Sequence, residues 1–353
     1  MLVTIAMPAY NEEHFIEACI ASVQSQDYPR DQIEILVADG RSTDATRDIL
    51  ARLAADDPRI RVIDNPARLQ AAGLGLVVKA ARGDVIVRMD VHCEYAPDYV
   101  RKCVETLEQT GADNVGGAQR ARAKTAFQRA LCAALTSPLG VGGARYRSAD
   151  AEGFVDTVFL GAFRRRVFET VGLWDPRAIT NEDTELNQRI LERGGQIYLS
   201  RDIVVHYYPR GSFRALAKQY FKYGRGRART LLKLGRFSNL RPVIPFAMVA
   251  SAAAMIANPL LWPALPGVVA SYALATGAEA VRVARRIADG ADGADGAGDG
   301  DGASMATVWA IFPVLHVSHG AGFAAGLWQY LRSPDWPDEP ERVGPRKVQL
   351  FAI

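Results

Sequence analysis

Four short motifs hold the residues best suited to chemistry, and they are predicted to lie at the ends of β-strands, the last of them where a helix opens. A carboxylate, an amide or an imidazole at such a position can reach a ligand while the strand before it stays buried. Each motif alone is a weak signal, but together they favour a nucleotide pocket, a metal site and a catalytic carboxylate on one sheet. The motifs are Pro8-Ala9-Tyr10-Asn11-Glu12, Asp39-Gly40, Asp90-Val91-His92 and Asn181-Glu182-Asp183.

Asp39 ends a continuous apolar run, and Gly40 allows the backbone to turn tightly after it. A carboxylate at this place can accept a hydrogen bond from the imide N–H of uracil or from a ribose hydroxyl. Alternatively, Asp39 and Asp44 cap a helix that begins near Thr43. The motif alone does not separate these two interpretations.

Asp90 and His92 are two residues apart, so their side chains share one side if the chain remains extended. A carboxylate with an imidazole suits a divalent cation that bridges two phosphates, and the imidazole favours Mn²⁺ over Mg²⁺. Such a cation would stabilise the charge of a departing diphosphate. Alternatively, Asp90 caps the next segment and His92 packs in a loop.

Glu182 and Asp183 open a predicted helix, where the helix dipole already favours acidic side chains. The same position can direct a carboxylate into a cleft. Because a sugar hydroxyl is a poor nucleophile until it loses its proton, a reaction at such a hydroxyl needs a base. We expect Asp183 to be this base and Glu182 to bind the acceptor.

A basic, amphipathic helix is predicted for 213–234, and it contains Gln219, Lys222 and Tyr223. Cationic side chains here can hold a pyrophosphate and share its developing charge. They can also attract anionic lipid headgroups ahead of an apolar segment. We assign Lys222 to the ligand and the later basic residues to the lipid surface: Arg225, Arg227, Arg229, Lys233 and Arg236.

Strand and helix patterns alternate through the first part of the chain, which predicts an α/β fold with a mostly parallel sheet flanked by helices. The carboxyl ends of parallel strands meet at one edge, so Tyr10, Asp39 and Asp90 should lie along it. The predicted strands there are Leu2–Met7, Ile33–Ala38, Arg61–Ile63 and Val85–Met89, and the predicted helices are Glu12–Gln26, Thr43–Leu53 and Leu69–Ala81.

Composition separates the chain into a catalytic region and an apolar region. The 353 residues are 49% apolar and carry a formal net charge of +3, too little to favour nucleic acid as a partner. The four cysteines are scattered, which indicates reduced thiols in a cytosolic compartment. Two segments, Val243–Thr276 and Ala303–Leu331, lack charged side chains and are long enough to enter a membrane.

These observations predict a catalytic domain at 1–240, one or more hydrophobic helical membrane segments at 241–280 and a transmembrane helix at 303–332, followed by a tail at 333–353. Between the apolar segments, 281–302 is rich in Asp and Gly and predicts a disordered loop. The basic residues before the first apolar segment favour an inner membrane location with the catalytic domain in the cytosol. The prolines within that segment leave open whether it forms a hairpin or a re-entrant segment.

The ordered set of motifs resembles the inverting family 2 glycosyltransferases of the GT-A fold, over roughly residues 1–235, and is most similar to their succinoglycan-biosynthesis branch. The resemblance implies that Asp90-Val91-His92 replaces a metal-binding D-x-D motif and that Glu182-Asp183 contains the base. It also implies that the sugar nucleotide contacts Pro8, Tyr10, Asn11, Glu12, Asp39, Asp90, Gln219, Lys222 and Tyr223.

The sequence departs from that family's pattern at several positions. A second acid is replaced by Ala38, Arg41 is inserted before Ser42, and His92 stands at the third position of the metal motif. Lys222 and Tyr223 replace Arg and Trp of the late Q-x-x-R-W motif.

The resemblance implies transfer of a sugar, with glucose favoured, from a nucleotide diphosphate such as UDP to a lipid-linked saccharide in exopolysaccharide or cell-surface glycan synthesis. It further implies a divalent cation, Mn²⁺ or Mg²⁺, and a membrane as partners. Two alternatives stay open: transfer directly to a polyprenyl phosphate, and a membrane-anchored nucleotide-sugar-binding protein without turnover.

Overall fold

The computed structural model describes residues 1–141, 145–235, 240–288, 304–337 and 339–344. The strands are β1 Val3–Ala9, β2 Ile33–Asp39, β3 Ile60–Asp64, β4 Val85–Arg88, β5 Cys93–Tyr95, β6 Asn114–Gly117, β7 Gln119–Ala121, β8 Gly153–Phe154, β9 Phe159–Arg164, β10 Ile197–Leu199 and β11 Val205–Tyr207. The α-helices are α1 Ile16–Gln24, α2 Thr46–Asp56, α3 Gln70–Ala80, α4 Tyr99–Thr110, α5 Ala126–Thr136, α6 Pro138–Val141, α7 Arg166–Thr170, α8 Glu182–Glu192, α9 Phe213–Leu234, α10 Val243–Ala257, α11 Leu265–Ala288 and α12 Met305–Arg332. Short 3-10 helices span Arg30–Gln32, Arg145–Arg147 and Pro259–Ala264.

Contacts divide the chain into two units that do not follow the predicted boundary at residue 240. The first unit comprises Met1–Ala118, Asp150–Val205 and Trp336–Ile353. The second comprises Gln119–Ala149 and His206–Asp335. The predicted catalytic region therefore contributes residues to both units.

The first unit is built on a sheet with the strand order β3-β2-β1-β4-β9-β6-β10-β8. The first four strands are parallel, as the alternation of strands and helices predicts. Strand β9 runs antiparallel to both β4 and β6, and β8 runs antiparallel to β10. The sheet is therefore mixed, with its parallel half carrying the first motifs.

The strands in the parallel half of the sheet are deeply buried. Every residue of β2 and β4 is buried, as expected for strands covered on both faces by helices. Ala9 of β1 pairs with Asp39 of β2, and Ala6 of β1 pairs with Arg88 of β4. Strands β1 and β2 therefore end side by side and β4 ends opposite Ala6, so the loops after the three strands follow one edge of the sheet.

Helix α8 is fixed by a buried ion pair at its centre. The guanidinium of Arg189 binds both carboxylate oxygens of Glu185 at 2.8 Å, and the two side chains are 4% and 1% exposed. The same guanidinium donates to the backbone oxygens of Val171, Gly172 and Leu173. These contacts tie the segment that leads to Trp174 to the helix that begins with Glu182 and Asp183.

The second unit contains the helices of the apolar region. Helices α5, α9, α11 and α12 share a buried core that includes Leu131, Leu216, Val283 and Phe312. Residues 281–288 continue α11, although the sequence predicts a loop from 281 onward. The rest of that predicted loop, 289–302, lies outside the described residues, as do Arg236 and the end of the predicted tail, 345–353.

We predict that Arg189→Met lowers the free energy of unfolding by about 3–5 kcal/mol, because it leaves the buried Glu185 charge without a partner. Chemical denaturation of the purified protein measures this. Arg193→Met, an exposed position at the end of the same helix, is the matched control and should change stability by no more than about 0.5 kcal/mol. Equal losses in both variants would contradict the structural role of the pair.

Candidate active site

Two strand-end loops are joined by side-chain to backbone hydrogen bonds. Asp39 is 1% exposed and accepts from the Ser42 hydroxyl at 2.6 Å, while the Ser42 hydroxyl oxygen accepts from the Asn11 backbone N–H at 2.9 Å. The Asn11 side-chain oxygen accepts from the Thr43 N–H at 2.8 Å. Asn11 and Arg41 both have positive φ, 56° and 58°, a conformation that costs most residues free energy. The hydrogen bonds therefore hold a shape that the loops would not favour alone.

Tyr10 lies beside this junction with 42% of its surface exposed. A Cβ at Gly40 would lie 3.1 Å from the Tyr10 ring, so a residue larger than glycine would crowd the tyrosine. The guanidinium of Arg68 lies 5.9 Å from the centre of the same ring. An exposed aromatic ring fixed at a strand-end loop is able to stack on a planar ligand.

A buried arginine organises the acidic residues of the site. Arg88, the last residue of β4, is 3% exposed. Its guanidinium binds Asp90 through two hydrogen bonds of 2.9 and 3.0 Å, Glu182 at 3.1 Å and Asp183 at 2.5 Å. The structure therefore brings three of the predicted site residues together around one cation that the sequence analysis did not select.

Asp183 is positioned from both sides of its carboxylate. One oxygen accepts from Arg88, and the other accepts from the indole N–H of Trp174 at 3.0 Å. Burial raises the pKa of Asp183 to about 7, with Arg88 opposing the rise and the charges of Glu182 and Asp90 adding to it. A carboxylate whose pKa lies near neutrality suits proton transfer at physiological pH.

His92 and Asp90 have different partners. The imidazole of His92 lies 2.9 Å from a carboxylate oxygen of Glu12 and packs edge-on against Phe15. The carboxylate of Asp90 faces Arg88 and also accepts from the Gln70 side-chain amide at 3.0 Å. Their shared orientation, expected from the spacing of two residues, is replaced by contacts to separate neighbours.

A divalent cation at this place would require Asp90 to exchange its present partners for the metal. Both oxygens of Asp90 are held by cationic or amide donors, and the described residues include no cluster of three His, Cys, Asp or Glu side chains that could hold a metal. One donor is available: Oε2 of Glu12 is buried and has no hydrogen-bond partner within the described ranges. A cation would have to compete with Arg88 and Gln70 for Asp90.

Gln219, Lys222 and Tyr223 lie on α9 in the second unit. The Gln219 amide donates to the Tyr223 hydroxyl at 3.1 Å, one helical turn away. Lys222 is exposed. Their predicted contact with a sugar nucleotide stays a prediction.

Sequence reasoning missed Arg88 and the contact made by Trp174. The signal for Arg88 was present, because a charged residue interrupts the apolar run Val85–Met89 and a buried charge requires partners. The signal for Trp174 was weaker. Its ring packs against Phe163 and Phe168, which is ordinary for a core tryptophan, and its hydrogen bond depends on the fold around it.

The chain is similar in sequence to known glycosyltransferases. Residues 4–172 match the model of the family described as glycosyl transferase family 2. The chain is 37% identical over 246 residues to the succinoglycan biosynthesis protein ExoA of Rhizobium meliloti (strain 1021), covering 69% of this chain and 74% of that protein. It is 28% identical to a Methanococcus voltae protein named dolichyl N-acetyl-alpha-D-glucosaminyl phosphate 3-beta-D-2,3-diacetamido-2,3-dideoxy-beta-D-glucuronosyltransferase, covering 73% and 82% of the two chains.

The fold is also similar to that of a solved structure. The mannosyltransferase PcManGT from Pyrobaculum calidifontis, in complex with GDP-Man and Mn²⁺, aligns with a TM-score of 0.59 and 21% identity over 93% of this chain and 87% of that one. At this identity the likeness concerns the fold, which confirms a GT-A architecture. Together with the sequence relatives, it shows that the chain belongs to glycosyl transferase family 2 and is a glycosyltransferase.

Proposed function

We propose that this glycosyltransferase transfers a sugar from a nucleotide-diphosphate donor to a lipid-linked saccharide and inverts the configuration at the anomeric carbon. Asp183 is the base in this proposal. UDP-glucose is the donor that we favour. The observation that carries the proposal is the Asp183 carboxylate, held by Arg88 and Trp174 and with its pKa raised to about 7. This carboxylate therefore combines a fixed orientation with a pKa suited to taking a proton near neutral pH.

The chemical step is a single displacement. Asp183 takes the proton of the acceptor hydroxyl as the oxygen attacks the anomeric carbon from the face opposite the diphosphate. The new carbon–oxygen bond forms while the bond to the diphosphate oxygen breaks, and the diphosphate leaves with the electron pair. An α-linked donor therefore gives a β-linked product. Glu182, fixed by Arg88 next to Asp183, is proposed to bind another acceptor hydroxyl.

Donor binding is assigned to the two joined loops and the neighbouring strand end. We propose that Tyr10 stacks on the base, and that Asn11 and Asp39 hold the nucleoside through the loop that they stabilise together. Pro8 and Glu12 complete this part of the site. Exposure of the Tyr10 ring and burial of the Asp39 carboxylate support different roles for the two: direct stacking for Tyr10 and precise loop geometry for Asp39.

The diphosphate is assigned to Gln219, Lys222, Tyr223 and Asp90, together with a divalent cation that Asp90 and His92 help to hold. A bound cation would neutralise charge on the leaving group. The complex of PcManGT with GDP-Man and Mn²⁺ supports a cation, and the unpaired Oε2 of Glu12 next to His92 supplies an additional oxygen ligand. The proton transfer to Asp183 depends only on the chain's own residues.

The acceptor class and location follow from the relatives and the apolar helices. ExoA is named for succinoglycan biosynthesis, and the Methanococcus relative is named for transfer to a dolichyl-linked sugar. Two helices of this chain, Pro259–Ala288 and Met305–Arg332, are long and apolar enough to cross a membrane. We therefore propose a lipid-linked saccharide acceptor at the inner membrane, with the first unit in the cytosol.

Replacing the base tests the chemical step. We predict that Asp183→Asn lowers kcat for sugar transfer by about 10²–10⁴-fold while donor affinity changes little, because the amide keeps the shape but cannot accept the proton. Transfer in purified membranes and donor binding by calorimetry measure the two quantities. Asp48→Asn, at an exposed position on α2, is the control that should retain activity. Full transfer by Asp183→Asn would refute the assignment.

Metal dependence tests the assignment of Asp90 and His92. We predict that a chelator abolishes transfer, that Mn²⁺ restores it at lower concentration than Mg²⁺, and that Asp90→Asn raises the cation concentration required. The difference between the Mn²⁺ and Mg²⁺ concentrations that restore transfer should be smaller in His92→Gln, because the imidazole ligand is lost. Undiminished transfer in the presence of excess chelator would exclude a catalytic cation in this chain.

A further inference from the structure

Helix α12 is more enclosed by the protein than the other long apolar segment of the chain. The most apolar 18-residue part of α12 is 39% buried, whereas the corresponding part of Pro259–Ala288 is 6% buried. Both segments have the length and hydropathy of a membrane-spanning helix, and they differ in how much of each is buried. Their neighbours within the second unit show why.

The second half of α12 runs side by side with α9 in the same direction. Phe221 meets Gly322, Arg225 meets Gly326, and Arg229 meets Tyr330, so the contacts advance together by one helical turn. A Cβ at Gly322 would lie 2.1 Å from the Phe221 backbone oxygen, and one at Gly224 would lie 2.0 Å from the His319 backbone oxygen. The two backbones are therefore in direct contact, and neither helix can be placed in a different environment from the other.

Helix α9 is too basic to enter the hydrocarbon core. It carries seven Lys and Arg side chains in 22 residues. Arg229, 3% exposed, forms an ion pair of 2.5 Å with Asp335, which follows the end of α12. Because charged side chains are expensive in hydrocarbon, a helix packed along α9 over this length must lie at or above the lipid headgroups.

The first half of α12 is also held by polar contacts within the same unit. The Trp309 indole donates to Thr276 of α11 at 3.0 Å, and the His316 imidazole contacts both the Tyr272 hydroxyl at 2.8 Å and the Leu139 backbone oxygen at 2.6 Å. Leu139 belongs to the short helix α6, beside α5. Both halves of α12 thus belong to the folded core of the second unit.

The segment formed by α10, the 3-10 helix and α11 has the opposite character. The segment forms a hairpin, and its open end is where α10 begins and α11 ends. The contacts with α12 lie toward this open end, through Pro245, Phe246 and Val249 of α10 and through Tyr272 and Thr276 of α11. Beyond these contacts about eight residues of each helix project, or about 12 Å. That projecting tip is apolar and exposed, with Ile256 at 61%, Leu260 at 86% and Trp262 at 57%.

Basic residues flank this hairpin at its open end only. Arg241 precedes α10, and Arg282, Arg285 and Arg286 follow the apolar half of α11. Anionic headgroups attract such residues, which favours one membrane surface for both ends of the hairpin. A projection of about 12 Å covers less than half of a hydrocarbon core of about 30 Å.

We propose that the protein is monotopic: the hairpin of α10 and α11 enters only one lipid leaflet, and α12 lies at the surface of that leaflet without crossing. The partner is a bilayer with anionic headgroups, which contact the four flanking arginines while acyl chains surround Leu260 and Trp262. This replaces the transmembrane helix predicted for 303–332. Both ends of α12 then lie on the same side of the membrane as the first unit.

Site-directed cysteine labelling of the full chain in sealed vesicles tests this, and its readout does not depend on transfer activity. The four native cysteines are buried, so added thiols at exposed positions dominate the signal. The variants are Glu108→Cys in the first unit, Met305→Cys at the start of α12, and Leu260→Cys at the hairpin tip, with Val269→Cys as a second position in the projecting part of the hairpin. We expect a membrane-impermeant maleimide to label Glu108→Cys and Met305→Cys from the same side, and the two hairpin variants only after detergent is added.

Three results would overturn the proposal. Labelling of Met305→Cys from the side opposite to Glu108→Cys means that the chain crosses the bilayer before α12. Labelling of Leu260→Cys from that opposite side means that the hairpin spans. Labelling of Leu260→Cys without detergent on the same side as Glu108→Cys, or a disulfide-linked dimer through this position, means that water or a second copy, and not lipid, meets the hairpin tip.

Discussion

The guanidinium of Arg88 is the contact on which the acidic site depends. It is nearly inaccessible to water and binds three carboxylates, those of Asp90, Glu182 and Asp183. Removing a cation from water is costly unless its partners are close, and the same holds for the carboxylates. Because one positive charge faces three acidic groups, burial favours a protonated form of Asp183 and brings its pKa to the range in which a base is useful.

The surrounding fold fixes the positions of these charged groups. Arg88 is the last residue of a strand buried between two neighbours, so its backbone has little freedom. Glu182 and Asp183 begin a helix whose centre is tied by Arg189 to the segment before Trp174. The base is thereby oriented by a strand, a helix and an indole N–H, and the donor side is shaped by two loops that share hydrogen bonds. Such preorganisation reduces the motion required to reach the transition state.

The sequence predicts the parallel half of the sheet well because each strand there is an apolar run between a helix and a turn. It does not predict the direction of β9, because an apolar segment does not indicate whether its strand runs parallel or antiparallel to its neighbours. The joined loops around Asp39 and the approach of Asp90 to Glu182 and Asp183 follow from strand ends meeting at one edge. Arg88 was overlooked because its partners are distant in sequence, although its place in an apolar strand was a usable signal.

Hydropathy alone likewise does not predict how much of each apolar helix is covered by the rest of the protein. Segments Pro259–Ala288 and Met305–Arg332 have the same mean hydropathy of 1.3 in their most apolar parts, and they differ in the share of that part that is buried, 6% in the first and 39% in the second. The spacing of Asp90 and His92 predicts a shared direction, but each side chain has a stronger local partner, Arg88 for one and Glu12 for the other. Short-range contacts of this kind depend on tertiary structure.

The pH dependence of kcat/KM tests the central role of Arg88 most directly, because this ratio reports ionisation of the free enzyme. In the native protein kcat/KM should rise with pH through about 7 as Asp183 loses its proton. Arg88 lowers the pKa of Asp183, so Arg88→Met should move this rise to higher pH, while Arg88→Lys, which keeps the charge, should leave it close to the native position. An Arg88→Met profile that coincides with the native one, or lies at lower pH, would contradict the account.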